Sequence, residues 1–179
     1  MSGPAASTLR ELIRDIPDFP KPGIVFKDIT PLLLDPAALD EAVRGLAEWA
    51  RPREIDLVLA AEARGFILGA ALARELGVGF VPARKPGKLP WDTVSAEYIL
   101  EYGVDALEMH ADALAHGTRV LLHDDLLATG GTARALAELA EGAGARIAGC
   151  AFLVELTFLG GRERLGDYDV HALIGYDAE

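Results

Sequence analysis

Residues 120–136 read VLLHDDLLATGGTARAL, and this stretch decides the fold class. It starts in an apolar run that is typical of a buried strand. An adjacent pair of carboxylates follows, then a pair of glycines between threonines, and then an alanine- and leucine-rich segment that is typical of a helix. The pattern predicts a strand over 119–122 and a helix over 132–141, with an unusual polar loop between them.

The same alternation of strand and helix runs through the rest of the chain. Further strands are predicted at 55–61, 79–83, 97–101, 107–110, 147–154 and 170–174. Helices are predicted from Thr8 through Ile16, from Asp35-Pro36 onward, and over 65–76. This order indicates an α/β fold with a mainly parallel central sheet flanked by helices. Ligands of such sheets bind beyond the carboxyl ends of the strands, where the unusual polar residues of this chain are expected.

The composition indicates the number of domains and limits the classes of partner and location. The 179 residues, of which 51% are hydrophobic, predict a single domain over 1–179 with a substantial core. The net charge of −11 argues against a nucleic-acid partner, and no apolar run is long enough to cross a membrane. A single cysteine, Cys150, excludes an intrachain disulfide, so we expect a cytoplasmic protein.

The loop after the predicted strand has the composition of a phosphate site. Glycines let a backbone approach a ligand closely, and successive amides at a helix start attract an anion. The loop lacks the spacing of a Walker motif or a dinucleotide fingerprint, and a plain strand-to-helix turn is the alternative. The residues predicted to hold a phosphate monoester are Ala128, Thr129, Gly130, Gly131 and Thr132.

The acidic pair Asp124 and Asp125 sharpens that interpretation. Adjacent carboxylates repel one another unless cations or hydroxyl donors lie between them. A ribose diol supplies two such donors, so the pair and the phosphate loop together predict a ribose 5-phosphate site. A solvated acidic turn is the alternative.

Residues 120–132 resemble the phosphoribosyl-pyrophosphate motif of type I phosphoribosyltransferases, and the LLATGGT ending is similar to their adenine phosphoribosyltransferase branch. Further similarity lies in residues 17–31, 62–66, 84–90 and 100–103. The resemblance implies transfer of a 5-phosphoribosyl group from phosphoribosyl pyrophosphate to adenine, which gives AMP and pyrophosphate in purine salvage. The alternatives are transfer to another base, such as hypoxanthine, guanine or orotate, and a non-catalytic sensor of phosphoribosyl pyrophosphate.

The resemblance also implies an organisation for the chain. Residues 1–34 would form an N-terminal arm and base-binding hood, and residues 84–97 a flexible flap. It implies a homodimer and an Mg²⁺ ion that is bound mainly through the substrate, with no direct protein ligand.

Basic residues are assigned to the pyrophosphate. Arg64 lies between a predicted strand and a predicted helix, while Arg84, Lys85 and Lys88 form the densest basic group of an acidic chain. An exposed arginine and a solvated basic loop are the alternatives. The resemblance further implies a non-proline cis peptide at Ala63–Arg64 and a catalytic role for Arg64.

Other residues are assigned to the base by resemblance. Phe26 would stack on the purine while the backbone of Val25 and Lys27 reads its edge, and Leu156 would cover the other face. For Phe26 and Leu156 the alternative is a core residue.

Glu101 is the predicted general acid/base, because a carboxyl group that exchanges a proton with the purine stabilises charge on it. Tyr102 would close beside it, and a surface glutamate is the alternative for Glu101. His123 stands where the family usually has an apolar residue, and neither it nor Trp91 of the flap receives a role.

Overall fold

The computed structural model describes residues 4–100, 103–166 and 168–178. In chain order its helices and strands are α1 (Pro4–Glu11), β1 (Arg14–Ile16), β2 (Phe26–Asp28), α2 (Thr30–Leu34), α3 (Pro36–Ala50), β3 (Leu57–Ala61), α4 (Gly65–Leu76), β4 (Gly79–Ala83), β5 (Thr93–Leu100), β6 (Gly103–His110), β7 (Arg119–Leu127), α5 (Gly131–Gly142), β8 (Arg146–Leu156), α6 (Gly161–Leu165) and β9 (Val170–Tyr176). Short 3₁₀ helices occupy Arg51–Arg53 and Thr157–Leu159.

The central sheet has five strands in the order β4-β3-β7-β8-β9, and every neighbouring pair is parallel. Both faces of the sheet are covered, because alternate residues of each strand enter different apolar clusters. Leu59, Leu122 and Phe152 pack in the cluster that contains Leu136 of α5. Their neighbours Val58, Leu121 and Ala151 pack with residues of α3 and α4. This arrangement confirms the predicted fold class.

Several predicted elements lie where their sequences place them. Helix α4 spans Gly65–Leu76 and strand β4 spans Gly79–Ala83, as predicted. Helix α3 begins at Pro36 because the Asp35 carboxylate accepts hydrogen bonds from the amides of Ala37 and Ala38. Local sequence therefore determines these boundaries.

The N-terminal helix differs from its prediction. It covers Pro4–Glu11, and Arg14–Ile16 form a strand that pairs antiparallel with Phe26–Asp28. The amphipathic pattern is satisfied differently, because Leu9 and Ile13 are buried in a cluster with Ile29 and Leu32. A partner strand from farther along the chain thus overrides the helical pattern after Glu11.

Strands β5 and β6 are longer than predicted and pair antiparallel from Thr93↔His110 to Leu100↔Gly103. Within the proposed flap, residues from Thr93 onward therefore belong to a strand, and the irregular part ends before it. No helix in the described part of the chain is long and apolar enough to span a membrane.

Candidate active site

The predicted phosphate loop connects β7 to α5 and forms one wall of a cavity. Gly130 adopts φ 81° just before the helix begins at Gly131, a conformation that favours glycine. The first amides of α5 lie in this wall, where helix N-termini attract anions. The cavity has a volume of about 160 Å³ and is lined by Asp124, Leu126, Leu127, Ala128, Thr129, Gly130, Gly131, Thr132, Ala133 and Phe152.

The acidic pair lies inside β7 and not after it, which corrects the predicted end of the strand at 122. The reason is the length of β8, which continues to pair with β7 as far as Leu127↔Glu155. Asp124 is half-buried and its Oδ1 accepts a hydrogen bond from the Asp125 amide at 2.9 Å. The ladder thus holds both residues near the carboxyl end of β7, and Asp124 lines the cavity.

The electrostatics of the acidic pair favour a ligand that carries hydrogen-bond donors or a positive charge. Burial and the neighbouring charge of Asp125 raise the pKa of Asp124 well above its usual value. Burial also raises the pKa of Asp125, although the Arg64 guanidinium opposes the rise. Hydroxyl donors or a cation beside the pair would stabilise the ionised forms.

Arg64 connects the acidic pair to the N-terminal segment. Its Nε lies 2.7 Å from Asp125 Oδ2, and its guanidinium carbon lies 4.7 Å from the centre of the Phe26 ring. Arg64 is therefore not an isolated surface arginine. The cis peptide expected at Ala63–Arg64 is found one bond earlier, at Glu62–Ala63.

The basic loop is held by carboxylates that sequence reasoning did not single out. Glu62 Oε1 accepts the Lys85 amide at 2.5 Å, and Glu62 Oε2 lies 3.3 Å from Arg84 Nη2. Lys85 Nζ lies 2.9 Å from Asp105 Oδ2, and the Gly87 amide donates to Glu108 at 3.0 Å. These residues are about 20 positions apart in the sequence and form no common motif, so only the fold shows that they are in contact.

Glu62 is ionised in this arrangement. Burial favours its neutral form, but the hydrogen bond from Lys85 and the charges of Lys88 and Arg84 outweigh burial and lower the pKa of Glu62. A charged carboxylate therefore faces the loop that is expected to bind pyrophosphate.

The predicted base-binding residues divide between surface and core. Phe26 is half-buried and meets Phe19 edge to face at 5.2 Å, so it is not a fully buried core residue. Val25 is also half-buried, whereas the Lys27 side chain is buried against Asp15 at 2.8 Å. That side chain is engaged in the fold, and the predicted contact of the Lys27 backbone with a base stays a prediction.

Leu156 ends β8 and is half-buried against an apolar cluster, so the core alternative stays open for it. Glu155 beside it is nearly buried and forms a two-point ion pair with Arg162, with both N···O distances 2.7 Å. Glu101 and Tyr102 lie outside the described residues, so their roles stay predictions.

The structure accounts for His123. The ring is fully buried, Nδ1 lies 2.8 Å from the Ala151 carbonyl oxygen, and Nε2 has no partner among the described residues. Burial lowers its pKa to about 4. It is a neutral strand histidine that packs near Gly69 and Phe80. Trp91 is 67% exposed, and nothing in the structure explains it.

Comparisons with known proteins agree with this geometry. Residues 33–173 match the model of the phosphoribosyl transferase domain. The chain is 60% identical over 168 residues to the adenine phosphoribosyltransferase of Nitrosococcus oceani. The matched region covers 94% of this chain and 98% of that protein.

Solved structures give the same result. The adenine phosphoribosyltransferase of Thermoanaerobacter pseudethanolicus has a TM-score of 0.94 and 54% identity, covering 96% of this chain and 99% of that one. The Saccharomyces cerevisiae protein, solved with adenine and an imino-altritol bisphosphate, has a TM-score of 0.89 and 40% identity, covering 94% and 98%.

Proposed function

The chain belongs to the phosphoribosyltransferase family, in its adenine phosphoribosyltransferase branch, and from this membership we propose that it transfers the 5-phosphoribosyl group of phosphoribosyl pyrophosphate to adenine. The products are AMP and pyrophosphate, and the reaction belongs to purine salvage. One observation carries the proposal: Arg64 links the acidic pair near the phosphate cavity to the half-buried ring of Phe26. A ribose 5-phosphate site and a base site then share one residue.

The phosphoribosyl group is held from two sides. The amides and hydroxyls of residues 128–132 bind the 5-phosphate at the start of α5. Asp124 and Asp125 accept hydrogen bonds from the ribose diol, which relieves the repulsion between their charges. This hold fixes the anomeric carbon relative to the base.

Pyrophosphate binds through Arg64, Arg84, Lys85 and Lys88. The ion pairs of Arg64 with Asp125, of Arg84 with Glu62 and of Lys85 with Asp105 support this role, since a carboxylate orients each of these cations. The oxygens of pyrophosphate accept hydrogen bonds that these side chains now donate to carboxylates. Closure of residues 84–97 excludes water from the reacting atoms.

The base is recognised by aromatic stacking and backbone contacts. Phe26 covers one face of adenine, Leu156 the other, and the backbone of Val25 and Lys27 reads its edge. Glu101 exchanges a proton with the imidazole ring as the glycosidic bond forms or breaks, while Tyr102 closes beside it. These assignments rest on family membership together with the half-buried positions of Phe26 and Leu156.

Mg²⁺ is the proposed cofactor, held mainly through the substrate. The donor set fits a nearby cation, because burial raises the pKa values of both Asp124 and Asp125, and the charge of Asp125 raises that of Asp124 further. When bound, the ion supplies neutralising charge at the pyrophosphate. Orientation of the ribose and proton exchange with the base belong to the protein's own residues.

We also propose that the protein is a cytoplasmic homodimer. Exposed apolar side chains such as Leu34 and Ile67 support a self-association surface, and the buried thiol of Cys150 suits a reducing compartment. Sedimentation velocity at micromolar concentration tests the dimer; a single monomer species would contradict it.

The activity is tested by incubating the purified protein with phosphoribosyl pyrophosphate, Mg²⁺ and one base at a time. We expect AMP from adenine and little product from hypoxanthine, guanine or orotate, with loss of turnover when Mg²⁺ is chelated. Equal or faster turnover of hypoxanthine would overturn the assignment to adenine. Binding of phosphoribosyl pyrophosphate without turnover of any base would favour the sensor alternative.

A further inference from the structure

The connection between β8 and β9 packs directly against the phosphate loop. Its residues 157–165, called here the backing segment, comprise a 3₁₀ turn, Gly160 and helix α6. A Cβ atom added to Gly130 would lie 2.5 Å from the Gly161 carbonyl oxygen. A Cβ atom added to Gly161 would collide with the carbonyl oxygen of Ala128. The backbone of the phosphate loop at Gly130 and the backbone of the backing segment at Gly161 are therefore in direct contact.

This contact joins backbone to backbone, so it cannot relax by moving the end of a flexible side chain. Both collisions involve carbonyl oxygens of residues that shape the loop or its support. Displacement of Ala128 would shift the amides that follow it, and these are the groups expected to bind phosphate. The shape of the loop thus depends on a residue about 30 positions downstream.

The backing segment is itself fixed to the sheet. Arg162 pairs with the nearly buried carboxylate of Glu155 through two bonds of 2.7 Å, and its Nη1 donates to the Val170 carbonyl at 2.7 Å. At the other end, Thr157 Oγ1 lies 3.0 Å from the Tyr176 carbonyl oxygen. Strands β8 and β9 therefore hold both ends of the segment.

We propose that the backing segment is a positioning element for the phosphate loop, with Gly161 as the contact and the Glu155–Arg162 pair as the anchor. No residue of the segment is among the described residues that line the cavity, so it acts through the loop and touches no phosphate. This inference rests on the proposed function, since it assigns the control of 5-phosphate affinity to residues outside the binding site.

The test compares binding of ribose 5-phosphate and of adenine by titration calorimetry. Gly161→Ala should weaken ribose 5-phosphate binding about tenfold and change adenine binding by less than about twofold. In turnover, KM for phosphoribosyl pyrophosphate should rise about tenfold while kcat changes by less than about threefold.

Two glycine variants serve as controls. Gly142→Ala lies at the far end of α5, where an added Cβ has open space, and should change neither affinity. Gly45→Ala places a Cβ 3.0 Å from Leu173, away from α5, and should lower Tm without changing ribose 5-phosphate affinity. Equal weakening in Gly45→Ala and Gly161→Ala would make the effect one of stability and overturn the proposal.

The anchor gives a second route to the same result. Arg162→Met removes both bonds to Glu155 and should weaken ribose 5-phosphate binding several-fold, while Arg162→Lys keeps the charge and should recover part of the loss. Wild-type affinity in both Gly161→Ala and Arg162→Met would overturn the inference. Failure of the wild-type protein to bind ribose 5-phosphate would instead overturn the proposed function.

Discussion

The Nε atom of Arg64 lies 2.7 Å from Oδ2 of Asp125, although Arg64 directly precedes helix α4 and Asp125 lies in strand β7. The Asp125 side chain is only 5% exposed, so Arg64 is the charge that offsets its burial. Because the same guanidinium lies over Phe26, one side chain joins the proposed ribose, pyrophosphate and base sites. The geometry of this residue therefore governs the first prediction.

Arg64→Ala should lower kcat/KM for phosphoribosyl pyrophosphate on the order of 10²-fold, because charge-assisted hydrogen bonds to anions are the strong ones. Steady-state kinetics at saturating adenine measure the change. Arg44→Ala is the control, since Arg44 pairs with Asp40 on an exposed helix face and should leave kcat/KM unchanged. A loss of less than about twofold in Arg64→Ala would contradict the assignment.

Phe26→Leu should raise KM for adenine roughly threefold to tenfold, because an aromatic stack contributes about 0.5–1.5 kcal/mol beyond burial. Initial rates at saturating phosphoribosyl pyrophosphate measure it. Phe80→Leu is a matched control, because Phe80 is half-buried like Phe26 but packs against Phe66, at 5.8 Å between ring centres. It should lower Tm and leave KM for adenine unchanged; the reverse pattern would contradict the role of Phe26.

Glu62→Ala should raise KM for phosphoribosyl pyrophosphate about tenfold, since the Lys85 amide and the Arg84 guanidinium lose a charged acceptor. Glu62→Gln keeps an oxygen for the amide and should show a smaller rise. Glu75→Gln, which alters an ion pair with Arg51 instead, serves as the control. A lower KM in Glu62→Ala would show that the carboxylate competes with the substrate for the loop cations.

His123→Val should flatten the acid side of the stability profile. The pKa of the buried imidazole is about 4 in the folded protein, compared with 6.5 for an ordinary histidine, because burial disfavours the charged ring. The unfolded chain therefore binds the proton first, and stability falls as pH decreases from 6.5 toward 4, by about 3 kcal/mol over the full window.

Urea unfolding at several pH values between 7.5 and 5 measures this slope. The carboxylates Asp124 and Asp125 are present in both proteins, so their contributions to the slope cancel in the comparison. His116→Gln, at an exposed position, should keep the wild-type slope. Parallel profiles for His123→Val and the wild type would contradict the prediction.

Glu101→Gln should lower kcat on the order of 10²-fold and leave the affinity for AMP nearly unchanged, because general acid/base catalysis contributes to the transition state. Single-turnover rates with adenine measure the chemical step. Glu97→Gln neutralises an exposed carboxylate of strand β5, four positions before Glu101 in the sequence, and should retain full turnover. Intact turnover in Glu101→Gln would remove the proton-transfer role while leaving the substrate assignment in place.

Much of the fold was predictable because local pattern and tertiary environment agree. The strand 79–83 and the helix 65–76 form at the predicted positions, because their apolar patterns agree with their packing in the fold. Asp35 determines the start of a helix because its own carboxylate accepts a hydrogen bond from an amide of the first turn. Prediction failed where a distant partner decides. Arg14–Ile16 form a strand because Phe26–Asp28 pair with them, and β7 continues through the acidic pair because β8 is long enough to pair with it.

By itself, the sequence determined the fold class, and it predicted a phosphate loop and a ribose-binding acidic pair, because each depends on neighbouring residues with a local chemical pattern. Only the tertiary structure decided which charges face one another: Arg64 with Asp125, Arg84 with Glu62, and Arg162 with Glu155. It also decided that Gly161 supports the phosphate loop and that His123 is a buried neutral residue. Burial and through-space distance are set by packing between elements, and no local pattern of residues contains them.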